Sequence, residues 1–126
     1  MNRIAAALCI LALTAGFIGF HTLQILNLSR DIDALCGEIQ KSYQQEDWAD
    51  IQSRLDQLQN RWNKSRFWAC LTIDTAQIEE IEISLRQTIE YAKLQAKENF
   101  IGEFIMFRML AEHLPHQEGF SPETLL

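Results

Sequence analysis

The sequence predicts an all-α protein: an N-terminal transmembrane helix that continues into an up-down antiparallel helical bundle of three to four helices. Three observations carry this expectation. Ile4 to Phe20 is an apolar run with Thr14 as its one weakly polar interruption. Beyond it, apolar residues recur at three- and four-residue spacing, the period of a helix with one buried face. No Asn-Gly or Asp-Gly pair separates alternating runs, so no hairpin signal competes.

The anchor comes first. A helix crosses a bilayer core with roughly 17–25 apolar residues. Ile4 to Phe20 supplies seventeen, and HTLQILNL follows with more Leu and Ile, which assigns 1–28 to the anchor. A cleaved signal peptide needs a small-x-small site after its apolar region. Thr14-Ala15-Gly16 is the passable candidate, and it precedes large apolar Phe17 and Ile18, so an uncleaved signal-anchor is expected. A buried core helix is disfavoured, because 126 residues are too few to wrap an all-apolar helix on every side. Arg3 on a very short N-terminal tail favours a cytoplasmic N-terminus in the cell membrane and an extracytoplasmic main domain.

The bundle is expected over 29–114. Ile25, Leu28, Ile32, Leu35 and Ile39 share one face, so the anchor runs unbroken into a soluble helix to about Tyr43. A polar gap at Gln44–Asp47 precedes a second stripe of Trp48, Ile51, Leu55, Leu58 and Trp62. Asp47 is placed to cap that helix. Asp74-Thr75-Ala76-Gln77 has capping-box spacing for a third helix, with the stripe Ile78, Ile81, Leu85, Ile89 and Ala92. A fourth helix carries Phe100, Ile101, Phe104, Ile105, Phe107, Met109, Leu110 and Leu114. Its border with the third, near Leu94–Lys97, contains no Gly or Pro. Pro115 cannot continue the helix, and Gly119 and Pro122 mark 115–126 as an extended tail.

Charge narrows the partners. Eleven basic residues face seventeen acids, a net charge of −6, and no stripe could bind phosphates along a nucleic acid. Cys9 lies in the span; Cys36 and Cys70 lie outside it. If the chain reverses near Glu46, residue 36 is level with about residue 56. Cys70 is then roughly 21 Å farther along at 1.5 Å per residue. A disulfide needs Cα atoms within about 7 Å, so these two are expected to be unbonded.

The segment AEHLPHQEGF gathers Glu112, His113, His116 and Glu118, a candidate metal or ligand set. Zinc needs three or four converging ligands. Pro115 stops His113 and His116 from sharing a helical face. The favoured reading puts His113 in the last helical turn, where its ring meets free carbonyls. No nucleophile elbow or phosphate-binding glycine motif occurs, so neither catalysis nor a cofactor is expected.

RWNKSRFW mixes aromatic and basic residues. Reflection about Glu46 brings Trp62 level with Arg30 and Trp68 level with about Gln24, the outer end of the span. Arg61, Trp62, Lys64, Arg66, Phe67 and Trp68 therefore form a candidate membrane-interface group: indole rings favour headgroup depth and cations favour lipid phosphates. Trp62 also completes the Trp48 stripe, so a core position is open to it.

Several motifs together resemble a known family. The tail matches at His113, Leu114, Pro115, Glu118, Ser121 and Leu125-Leu126. Asp47-Trp48-Ala49, the pair Trp62 and Trp68, and Ile81-Glu82-Ile83-Ser84-Leu85 match its middle. Thr75 and Thr124 stand where the family often has His and Asn. The sequence resembles a family of short single-span Firmicute membrane proteins, domain of unknown function four-three-six-three. The resemblance spans nearly the whole chain, including the N-terminal span. It implies an accessory role beside a multi-span membrane protein linked to sporulation.

The combined expectation is a membrane-anchored, non-enzymatic helical interaction protein. Its expected partners are membrane lipid, a multi-span membrane protein and a second copy of itself. A ligand- or metal-binding sensor built on the His113/His116 region is the alternative.

Overall fold

A computed structural model describes residues 2–71 and 73–114. They form four helices: α1 (Asn2–Gln44), α2 (Trp48–Cys70), α3 (Thr75–Lys93) and α4 (Lys97–Glu112). Each packs on the next, and α4 returns to α1, which closes an up-down four-helix bundle. The tail 115–126, with His116 and Glu118, lies outside the described residues.

The helix α1 runs through 43 residues without a break, across the boundary expected at 28. Residues 2–20 are exposed throughout, and burial starts at His21. By length and composition this helix could cross a membrane. From His21 onward it is a bundle element like the others, with Ile25, Leu28, Ile32, Cys36 and Ile39 buried.

The hairpin of α1 and α2 turns at Glu46, as reflection requires. Ser42 contacts Asp50, four residues either side of Glu46. Glu38 and Arg54, eight either side, approach to 3.7 Å. Asp31 and Arg61, fifteen either side, pair at 2.7 Å. Cys36 and Cys70 are free thiols, as this register demands. Burial raises the pKa of the Cys36 thiol to about 12, so it stays protonated and packs as a small apolar group.

Asp47 caps α2 by accepting from the Asp50 N–H at 3.1 Å. Asp74 caps α3, but its carboxylate reaches the Ala76 N–H at 3.4 Å rather than that of Gln77. The two distal turns are built alike. Glu46 (φ 55°) and Gln95 (φ 52°) take the left-handed conformation that normally selects glycine. In each, the next N–H reaches back five residues: Asp47 to the Ser42 carbonyl and Ala96 to that of Tyr91, both at 3.0 Å. Lys97 bridges the turns, with Nζ 2.5 Å from the Glu46 carboxylate.

Core positions follow the predicted stripes, with Trp48, Ile89, Ile101 and Leu110 partly buried and larger differences in α1 and α4. Leu35 is half-buried and Cys36 takes the core position, because α1 must face both α2 and α4. In α4, Phe100, Phe104, Phe107 and Leu114 are buried, whereas Ile105 and Met109 are more than half exposed.

Candidate functional site: the end of the bundle beside the apolar stretch

The last turn of α2 lies against the start of the bundle portion of α1. Trp68 meets Phe20 edge-on with centroids 5.2 Å apart, and Phe17 at 6.1 Å. His21 Nε2 donates to the Trp68 carbonyl at 2.7 Å. The final carbonyls of a helix lack partners within it, and His21 supplies one from the neighbouring helix. The expected level of Trp68 is Gln24; its contacts fall at residues 17–21, about one turn nearer the N-terminus.

Phe67 packs edge-on to Trp68 at 5.7 Å yet stays 66% exposed, and Leu71 beside it is 47% exposed. Lys64 and Arg66 are also exposed. Apolar and cationic groups thus stand together on the last turns of α2, whose Trp68 touches Phe17 and Phe20 of the exposed stretch of α1, while Lys64 lines an open groove with Asp31 and Leu35. This is the part of the expected interface group that the fold keeps at the surface.

Trp62 is a correction to that group. It is fully buried, and its indole N–H donates to Glu82 Oε2 at 3.0 Å. Its place in the Trp48 stripe decides its direction, because that face of α2 is covered by the other helices. Two of the expected lipid-facing cations have protein partners. Arg61 pairs with Asp31 and also contacts Ser65. Arg66 binds Glu82 through two nitrogens, at 2.7 and 3.2 Å. That bidentate pair holds the Glu82 carboxyl below its usual pKa.

The other candidate set is partly described. His113 Nδ1 donates to the Met109 carbonyl at 2.7 Å, the helix-end role expected of it. Glu112 lies 3.7 Å from Arg108. No group of three His, Cys, Asp or Glu suited to a metal occurs among the described residues.

The sequence alone places His21 at the edge of the span and gives it no role. The signal is present all the same: His21 lies four residues before Ile25 and so extends the buried stripe by one turn.

The fold and this site define a class: a four-helix bundle whose first helix extends as a stretch long and apolar enough to cross a membrane. The chain belongs to the family described as Domain of unknown function (DUF4363), whose model matches residues 20–124. The match takes in the bundle and begins after most of the apolar run, a narrower extent than the resemblance implied. No curated protein and no solved structure matches the chain.

Proposed function

We propose that this protein is a membrane-anchored, non-enzymatic interaction module whose bundle, outside the cytoplasmic membrane, serves a multi-span membrane protein. The observation that carries this reading is the continuity of α1: one helix is both the apolar stretch and a core element of the bundle. A partner engaging the bundle is thereby held at a fixed height and orientation above the bilayer. A pull-down of the full chain in mild detergent is expected to recover a membrane protein at comparable abundance. Repeated recovery of this chain alone would remove the reading.

In this arrangement Phe67, Trp68 and Leu71 sit at headgroup depth, with Lys64 beside lipid phosphates. A single-Trp variant retaining Trp68, with the other two tryptophans replaced by Phe to keep the core filled, is expected to respond most strongly to quenchers placed at interfacial depth in liposomes. One retaining Trp48, at the distal end, is expected to be insensitive. Equal insensitivity of the two would place the α2 terminus clear of the membrane.

A further inference from the structure

Between Asn99 and Glu112 the exposed residues of α4 are Gly102, Ile105, Met106 and Met109, none of them polar, where a bundle helix normally turns a polar face to water. Ile105, Met106 and Met109 are 51–52% exposed, and Ile83 on α3 is 50% exposed beside them. Gly102 continues the strip, and a Cβ added there would meet nothing within 4 Å. By contrast, α2 exposes Asp56, Gln57, Asn60 and Asn63. Contiguous apolar exposure on two adjacent helices marks an interaction surface more than scattered single residues do.

Between α3 and α4 this surface dips into an open groove of about 260 Å³, lined by Glu80, Ile83, Gln87, Glu103, Met106 and Leu110 among others. Ile83, Met106 and Leu110 give it apolar surface, with the buried Ser84 among them. Its walls carry two carboxylates and no basic side chain. Glu103 is fixed by the Ser84 hydroxyl, which donates to it at 3.2 Å. Unbranched methionines adapt to differing apolar shapes, as grooves that seat amphipathic helices require.

Charge selects the occupant. A second copy of the chain brings a net charge of −6 toward this acidic groove. The tail 115–126 carries Glu118 and Glu123 and no Lys or Arg. Both would set carboxylates against Glu80 and Glu103. We propose that the α3–α4 groove seats a helix from another protein, with an apolar stripe flanked by lysine or arginine. This rests on the interaction reading above and names its site.

The test places a photo-crosslinking residue at Met106 in the full chain, at native abundance in its source cells, with a second at Gln57 on α2 as reference. The Met106 position is expected to capture a segment of another protein with a Lys- or Arg-flanked apolar stripe, at least tenfold above the Gln57 position. Glu80→Lys, at an exposed site, is expected to cut that yield at least threefold while the circular dichroism spectrum stays unchanged. Crosslinks into residues 115–126, into a second copy or into a segment without basic flanks would each overturn the groove assignment. So would a yield no higher than at Gln57. A partner captured from Gln57 but not from Met106 overturns the groove and leaves the interaction reading standing; capture from neither position removes both.

Discussion

Trp62→Ala is expected to destabilise the bundle by about 3–5 kcal/mol, the range for removing a large aromatic side chain from a packed core. Trp62 is fully buried on α2, and its indole N–H is bonded to Glu82 on α3. The truncation leaves a cavity and removes one link between these helices. Arg66 keeps its carboxylate partner, so the loss comes mainly from packing. Urea unfolding of the full chain in micelles, followed by circular dichroism, measures the change. Glu82→Gln is expected to cost less, because an amide can still accept from the indole while the Arg66 ion pair is lost. A Trp62→Ala loss below about 1 kcal/mol would mean the residue faces lipid rather than core. The Glu82 pair also gives stability a pH dependence. Its carboxyl lies below its ordinary value of 4.5 in the folded state, chiefly through the Arg66 hydrogen bond. Its contribution is therefore complete above pH 4.5 and is lost as the pH falls through the lower folded value.

The helices were legible because three of them alternate buried and exposed residues at helical period. Ile25, Leu28 and Ile32, or Ile51, Leu55 and Leu58, could face nothing but a core. The hairpin register followed from one polar gap, and the ion pair of Asp31 with Arg61 lies where reflection about Glu46 puts it. The border between α3 and α4 was faint for a physical reason. Its left-handed turn residue is Gln95, not glycine, so the usual stop signal is missing. In α4 the sequence is apolar around nearly the whole circumference, so periodicity could not separate core Phe104 from exposed Ile105 and Met106. Interface residues were harder still. Spacing opens a core position to Trp62, which completes the Trp48 stripe, but leaves it in the interface group; packing shows that it is enclosed and that Trp68 is half-covered by Phe17 and Phe20.

Asn27→Pro is expected to uncouple the apolar stretch from the bundle, at a cost of about 3 kcal/mol or more. Residue 27 sits in the interior of α1, six positions beyond His21. A proline there has no N–H for the carbonyl of Leu23, and its ring clashes with that oxygen. It also disfavours the helical conformation at Leu26. The helix kinks between the part that packs on Trp68 and the part that carries Leu28 and Ile32 into the core. Once the kink swings residues 2–21 away, Phe17 and Phe20 leave the Trp68 ring, and the His21 ring leaves the Trp68 carbonyl. In a single-Trp variant, Trp68 emission should shift to the red and become open to aqueous iodide, while Trp48 in the parallel variant stays unchanged. Asn27→Ala, which keeps the helical N–H, should leave both signals where they were. If Asn27→Pro leaves Trp68 shielded, the contacts at the end of α2 hold without a continuous helix. The bundle would then be tied to the membrane by its own surface rather than by the rigidity of α1.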